Sequence, residues 1–377
     1  MACDLGRFGP EGGLQDRARA ALAAPPAPSP PNARDLLLDG EAVMITEGFT
    51  AAVPLLRQAS AAFRSEEMPP DEAVRWGGYP CAAATMLWDS DACLGFAGRW
   101  VTVTREHGAV TTLPLALNAL AMAQMFEGNL VAAGMSIAEA QSINEAAGLR
   151  APPHAAAFLA AFRGRESDAV ASIEATVDSA SVTGRGLALL TAQHAIAALY
   201  NGLGRHDKAL GVAEDARLNP PAWAAHLMLP KYIEAAVRID RRDAAKATLE
   251  RLAETTRPNH SDWARGIQAR SDALLSRDGG TEASYREAID PLSRTPVRPE
   301  LARAHLLYGE WLRRQNRQKD AREHLRTARD AGRNGYGSVR RTGPPRTRLG
   351  RWGGAHTGDR DRGRTQAAGD ADRQACR

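Results

Sequence analysis

Apolar and small residues recur with helical spacing between Leu301 and Asp330, on both sides of a short polar stretch. Each half of the segment carries one such stripe, and residues 315–318 separate the two halves. The stripe positions are Leu301, His305, Tyr308, Gly309 and Leu312 in the first half, and Ala321, Leu325 and Ala328 in the second. Because small residues let two helices approach closely where they cross, the segment predicts an antiparallel helix pair joined by a tight turn.

The same pattern recurs along the preceding sequence. In the last pair, the turn residue Asn316 is followed five positions later by the small crossing residue Ala321. The matching positions upstream are Gly128 with Ala133, Gly164 with Ala169, Gly204 with Ala209, Asp240 with Ala245, and Asp278 with Ala283. Successive turn residues lie 36, 40, 36, 38 and 38 residues apart, a period typical of tetratricopeptide-like helix pairs. An ordinary bundle of Ala-rich helices is the alternative interpretation.

We therefore predict an all-α, tetratricopeptide-like helix-pair solenoid with disordered ends. The predicted solenoid covers residues 32–330, and two further pairs with turns at 47–50 and 89–91 precede the Gly128 pair. Residues 1–31 are interpreted as a disordered segment and a Pro-rich linker, with order beginning near Asn32. Residues 331–377 are interpreted as a disordered Arg- and Gly-rich tail, and a frameshift in the gene is one explanation of that composition.

The net positive charge of the chain comes from this tail. The whole chain has a net charge of +4, whereas residues 331–377 contain eleven Arg and four Asp, a net charge of +7. The preceding 330 residues therefore sum to −3, which gives no electrostatic footprint for nucleic acid. We expect no sequence-specific binding of DNA or RNA by this chain alone.

The sequence contains no long apolar run and no signal-peptide pattern, so we expect a cytoplasmic protein without membrane contact. It also lacks a phosphate loop, a GxSxG elbow, an HExxH helix and an EF-hand. Cys81 and Cys93 are interpreted as buried reduced thiols. Ser261, which lies between His260 and Asp262, is interpreted as a helix cap rather than as a nucleophile. We expect no catalytic site, no cofactor and no bound metal.

A partner-binding groove is predicted on the inner face, which the first helix of each pair lines. Counting back from each turn residue gives its candidate residues, some of which are alternatively packing residues of a degenerate repeat. They are Asn118, Met122, His154, Phe158, His194, Asn201, Glu234, Arg238, Glu310 and Arg313.

Three stretches together resemble the helical-repeat region of large ATP-binding LuxR-family transcriptional regulators. They are NARDLLLDG at 32–40, the pair at 112–148, and LARAHLLYGEWLRRQNRQKDAREHLRTA at 301–328. The resemblance covers residues 32–330. It implies a repeat scaffold that connects an effector-sensing or nucleotide-dependent module to a DNA-binding module. No phosphate-loop lysine precedes residue 32, and the tail lacks a helix-turn-helix pattern.

The leading hypothesis is a non-enzymatic scaffold of such a regulator, in a truncated form without its own DNA-binding domain. Its partner would be a protein, a peptide or a small effector. The alternative is an independent tetratricopeptide-type adaptor unrelated to transcription. A neighbouring reading frame with a phosphate loop or a helix-turn-helix would favour the regulator.

Overall fold

The computed structural model describes residues 13–25, 30–65, 68–149, 154–183, 186–218, 225–276 and 280–334. All regular secondary structure in these ranges is helical, which confirms the predicted all-α class. A short 3-10 helix, Ala225–Leu227, precedes the thirteenth α-helix. The α-helices are α1 Gly13–Leu22, α2 Ala33–Thr46, α3 Phe49–Ser65, α4 Pro70–Trp76, α5 Gly78–Met86, α6 Ser90–Glu106, α7 Leu113–Phe126, α8 Leu130–Ala147, α9 His154–Phe162, α10 Glu166–Thr183, α11 Gly186–Leu203, α12 His206–Leu218, α13 Leu229–Arg238, α14 Arg242–Thr256, α15 Asp262–Leu275, α16 Thr281–Ser293, α17 Arg298–Arg314 and α18 Gln318–Asn334.

These helices pack as successive pairs, as the repeat predicts. The pairs are α2/α3, α5/α6, α7/α8, α9/α10, α11/α12, α13/α14, α15/α16 and α17/α18. The first helices of neighbouring pairs also contact one another from α7 through α9, α11 and α13 to α15. We call the first helices of all the pairs the first-helix layer. Stacking of this kind buries apolar faces that a single pair would leave exposed, which is the solenoid arrangement.

The predicted turn residues end the first helices in the left-handed conformation. Gly128, Gly164, Gly204, Asp240 and Asn316 have φ values of 80°, 69°, 74°, 62° and 60°. The crossing alanines that follow them, Ala133, Ala169, Ala209, Ala245 and Ala321, are at most 1% exposed. Gly309 shows how close the helices lie, because a Cβ added there would sit 2.8 Å from Cγ of Leu325. The helix register predicted from the repeat is confirmed for these five pairs.

The prediction is wrong for Ala283, which is exposed. Asp278, the predicted turn residue of that pair, lies outside the described residues. Helix α16 begins at Thr281, one residue later after the turn position than in the other pairs. Since each residue rotates a helix by about 100°, this change gives α16 a different buried face. That face is formed by Thr281, Tyr285, Ala288 and Leu292.

The repeat pattern did not identify Trp88 as a turn residue. Trp88 has a φ of 53° and lies midway between Gly48 and Gly128, where the repeat requires a turn. A bulky residue adopts this conformation at an energetic cost, and Trp88 is buried to 2% exposure by packing that offsets it. The adjacent Asp89 caps α6 by accepting a hydrogen bond of 2.9 Å from the Ala92 amide.

The predicted disorder of residues 1–31 is wrong for α1, and the solenoid extends slightly further at its other end. Helix α1 packs on α2, with Ala18 buried and Gln15 Nε2 donating to the Ile45 carbonyl at 2.9 Å. A small side chain at Ala18 permits this close packing despite a polar sequence. Helix α18 continues to Asn334, beyond the predicted end at 330. The predictions for residues 1–12, 26–29 and 335–377 lie outside the described residues.

Contacts also join pairs that are distant in the sequence. Arg57 Nη2, on α3, donates to the carbonyl oxygens of Pro258 at 2.9 Å and Asn259 at 2.5 Å. The imidazole Nε2 of His226 lies 3.1 Å from the Thr85 carbonyl oxygen. The first and second pairs therefore contact the segments that precede and follow the sixth pair. Across the described ranges, no helix combines the length and the apolar run that a membrane crossing requires.

Candidate functional site

A row of aromatic rings fills one part of the first-helix layer. Trp88 lies edge-on to Trp263, with ring centroids 5.2 Å apart, and Trp263 contacts Phe126 at 5.5 Å. Phe126 in turn contacts Phe158 at 6.2 Å, and Trp88 contacts His226 at 4.7 Å. We call these five residues the aromatic row. Edge-on contacts between buried rings are favourable beyond the area they bury, so this region is a packed interior.

A ladder of three ion pairs fills another part of the same layer. Lys231 Nζ lies 2.7 Å from Glu300 Oε1, Glu234 pairs with Arg303, and Arg238 pairs with Glu310. The first residue of each pair lies on α13 and the second on α17. The charges alternate along both helices, so each rung is also flanked by opposite charges. We call this arrangement the ion-pair ladder.

Two further side chains tie the ladder to neighbouring helices. Arg270, on α15, donates through Nη1 to Glu300 Oε2 at 2.5 Å and to the Glu300 carbonyl at 3.2 Å. Asn201, near the end of α11, donates through Nδ2 to the Lys231 carbonyl at 2.9 Å. Its own carbonyl accepts from Arg303 Nη2 at 3.2 Å. Four first helices are therefore linked through one polar network.

Neighbouring charges determine which side chains in and beside the ladder are ionised. Burial opposes ionisation of Glu234, but the Arg303 guanidinium outweighs it and lowers the pKa of Glu234 to about 2. Burial likewise opposes ionisation of Glu300, yet Arg270 and Lys231 hold its pKa well below the usual range. Burial and the positive charge of Lys231 lower the pKa of nearby His194 to about 3. Both carboxylates are thus charged and His194 is neutral at pH 7.

A cavity of about 70 Å³ lies beside the ladder. Its polar wall is formed by Asn201, Lys231, Glu234, Arg270, Glu300 and Arg303. The rest of its lining is largely apolar and comes from the ends of α9 and α11, with Ala161, Phe162, Ala198, Leu199 and Leu203. A cavity of this size holds several water molecules or a small organic ligand, because one water needs only about 10–15 Å³ by this measure.

The structure separates the predicted groove residues into three groups. Asn118 and Phe158 are buried and contact other residues of the interior. Asn118 donates to the Pro114 carbonyl of its own helix at 2.8 Å, and Phe158 packs in the aromatic row. Met122 packs at the edge of the same core, and His154 is partly exposed at the start of α9.

The remaining predicted residues lie in or beside the ladder, with one exception. Asn201, Glu234, Arg238 and Glu310 belong to the polar network, and His194 lies close enough to Lys231 for its pKa to respond. Arg313 is exposed on the last turn of α17. The structure thus brings half of the predicted residues together around one feature, which is a buried network rather than an open groove.

Sequence analysis missed Lys231, Arg270, Glu300 and Arg303. A usable signal exists in the residue spacing, since 231, 234 and 238 fall on one helical face, as do 300, 303 and 310. The two sets carry opposite charges at each matching position. Such complementary stripes predict pairing only once it is known that α13 and α17 face each other.

The structure also bears on the predictions made for Ser261 and for the two cysteines. Ser261 caps α15 by accepting from the Ala264 amide at 3.1 Å, as predicted. Asp262 pairs instead with Arg294, at 2.9 Å. Cys81 and Cys93 are buried free thiols, as predicted, and burial raises the pKa of Cys93 to about 11. Within the described ranges, no three His, Cys, Asp or Glu side chains cluster in a way that could hold a metal ion.

The sequence was compared with protein-family models and with curated proteins. No protein-family model matches the sequence. A search of curated proteins finds none with significant similarity.

Proposed function

We propose that this chain is a non-enzymatic, effector-sensing scaffold region of a cytoplasmic LuxR-family transcriptional regulator. The sequence resemblance supplies the family. The repeat of stacked helix pairs supports the scaffold role, because such arrays present long surfaces and transmit small rearrangements between neighbouring pairs. The resemblance spans residues 32–330, which includes both the aromatic row and the ion-pair ladder.

The observation that carries the sensing role is the ladder beside a cavity. Buried ion pairs are often no more stabilising than apolar residues of the same volume, so the ladder is a costly way to hold α13 and α17 together. It does, however, link first helices that are not neighbours in the stack. A ligand that contacts this network touches four helix pairs at once. Such a ligand could favour one arrangement of the pairs over another, provided that it binds the two with different affinity.

The structure also bears on the alternative, an adaptor that binds a peptide. An extended peptide needs a continuous open groove, whereas the aromatic row and the ladder occupy much of the first-helix layer. A cavity of about 70 Å³ is too small for a peptide segment. These features favour a small effector. A protein partner remains compatible with exposed positions such as Arg313.

A reporter experiment in the native host tests the regulator proposal. Transcription of the neighbouring genes is measured with the gene intact, with the gene deleted, and with a triple variant Lys231→Met, Arg270→Met and Glu300→Leu. The triple variant replaces Glu300 and both of its cationic partners by apolar residues, which leaves no unpaired buried charge from this rung, so it should fold. We expect deletion to change transcription and the triple variant to abolish the effector response. Unchanged transcription after deletion would contradict the proposal and favour the adaptor.

A further inference from the structure

We infer that the cavity beside the ion-pair ladder binds a small organic carboxylate, with its oxygen atoms at Arg270 and Lys231 and its alkyl part against Phe162, Leu199 and Leu203. The inference rests on the proposed function, because this carboxylate would be the effector. It goes further by naming the ligand chemistry and the residues that recognise it.

The charge of the cavity favours an anion. Three positive side chains, Lys231, Arg270 and Arg303, line it together with two negative ones, Glu234 and Glu300. The wall therefore carries one surplus positive charge. Within the described part of the chain, Arg238 and Glu310 form a pair next to this wall and add no net charge. A bound carboxylate would balance the surplus in a site that is largely removed from water.

Hydrogen-bond donors are also left for a ligand. The Arg270 side chain is only 3% exposed, and both of its bonds within the described ranges use Nη1. Its Nε and Nη2 atoms remain to donate, which is the paired geometry that a carboxylate accepts. Lys231 makes one side-chain bond in the same ranges, to Glu300, so two of its three ammonium hydrogens remain.

The two carboxylates of the wall limit where an anion can lie. Glu300 is bound by both Lys231 and Arg270, and Glu234 is held by Arg303. A ligand carboxylate would therefore approach the unused Nε and Nη2 atoms of Arg270. Its alkyl part would lie against the apolar lining of the cavity, which includes Phe162, Leu199 and Leu203. This apolar lining favours a short alkyl carboxylate over inorganic phosphate.

The chain offers a substitution that blocks the cavity without touching the ladder. Gly202 lines the cavity, and a Cβ added there meets no atom within 4 Å. Gly202→Leu should therefore fill the cavity while leaving every ion pair intact. Gly211→Leu is the matched control, because Gly211 is also helical with open space around an added Cβ, but it is exposed on α12 away from the cavity.

Isothermal titration calorimetry of the full chain, at constant ionic strength, tests the inference with acetate, butyrate, hexanoate and inorganic phosphate. We expect butyrate to bind more tightly than acetate and phosphate, and Gly202→Leu to weaken butyrate at least about tenfold. Gly211→Leu should bind like the parent. Thermal unfolding of both variants checks that they are folded.

Three outcomes would overturn the inference. They are no carboxylate binding at about 10 mM, equal butyrate binding by Gly202→Leu, and tighter binding of phosphate than of any carboxylate. Because the titration uses purified protein, it is independent of transcription. Carboxylate binding without a reporter response would reject the regulator proposal alone, whereas a reporter response without carboxylate binding would reject this inference alone.

Discussion

The aromatic row and the ion-pair ladder occupy the same layer of helices and hold it together by different physics. The row joins the second pair to the third, fourth, sixth and seventh through edge-on and tilted rings. The ladder joins α13 to α17 through charges that must be desolvated. Burial of rings is favourable almost regardless of exact geometry, whereas a buried charge is tolerated only with its partner in place.

This difference indicates which part of a repeat fold can bind a ligand. The row packs ring against ring, and its two indole donors, Nε1 of Trp88 and of Trp263, are buried without a hydrogen-bond partner in the described residues. The ladder keeps donors, a surplus charge and a cavity. We therefore expect substitutions in the row to change stability, and substitutions in the ladder to change stability and ligand response together.

The largest effect should come from the helix crossing on which both regions depend. Ala209 is fully buried where α11 and α12 cross, so Ala209→Arg forces a charge into the interior. We expect a loss of about 5 kcal/mol in the free energy of unfolding, or failure to fold. Urea denaturation measures it. Ala283→Arg is the control, since Ala283 is exposed and should change stability by less than about 0.5 kcal/mol.

Truncating the centre of the aromatic row should come next. Trp263 is 2% exposed and contacts both Trp88 and Phe126. We expect Trp263→Ala to cost about 4 kcal/mol in urea denaturation, because it removes a large buried ring and leaves a cavity. Trp76→Ala, at a partly exposed position on the short helix α4, should cost less than half as much. Equal costs would show that the row does not hold the distant pairs together.

Breaking one rung of the ladder should cost somewhat less. Glu300→Ala removes the carboxylate that Lys231 and Arg270 share, which leaves two buried positive charges. We expect the free energy of unfolding, measured by urea denaturation, to fall by about 3 kcal/mol. Asp290→Ala breaks an exposed pair with Arg294 and should cost less than about 1 kcal/mol. If both changes cost the same, the ladder is solvated and the contrast with the row fails.

The pH dependence of stability should report the neutral histidine beside the ladder. His194 has a folded-state pKa of about 3, whereas the unfolded chain binds the proton at about pH 6.5. Protonation therefore favours the unfolded state, and stability falls as pH drops from about 6.5 towards 3. Between pH 6.5 and 5 the loss is on the order of 2 kcal/mol.

A His194→Leu variant isolates this contribution. Its free energy of unfolding should fall less steeply than that of the parent between pH 6.5 and 5, as measured by urea denaturation at several pH values. Other histidines with lowered pKa, such as His206 and His305, are present in both proteins, so the difference belongs to His194. Parallel pH profiles would mean that folding does not lower the pKa of His194.

The smallest effect on stability should come from Arg313, an exposed residue of the predicted groove that lies outside the ladder. Arg313 is exposed on α17, so Arg313→Ala should change the free energy of unfolding by less than about 0.5 kcal/mol. If a protein partner binds this edge, capture of that partner should nevertheless weaken. Arg322→Ala, at an exposed position on α18, is the matched control. Equal capture by both variants would remove Arg313 from the binding surface.

Much of the fold follows from short spacings in the sequence. A turn residue that adopts positive φ, followed five positions later by a small residue, sets the register of a helix pair, as at Asn316 and Ala321. The rule failed where the turn residue was an unexpected type, at Trp88, and where a helix began later than the repeat implies, before Ala283. In both cases the local conformation depends on tertiary contacts, which the intrinsic helix propensity of a residue does not reflect.

The sequence by itself therefore determined the helix pairs, their turns and their crossing residues, because these depend on contacts within a few tens of residues. Only the tertiary structure decided which first helices face each other across the layer. It placed Trp88 on Trp263 and paired α13 with α17. Contacts between distant pairs depend on rotations accumulated from pair to pair, and no single stretch of sequence encodes that sum.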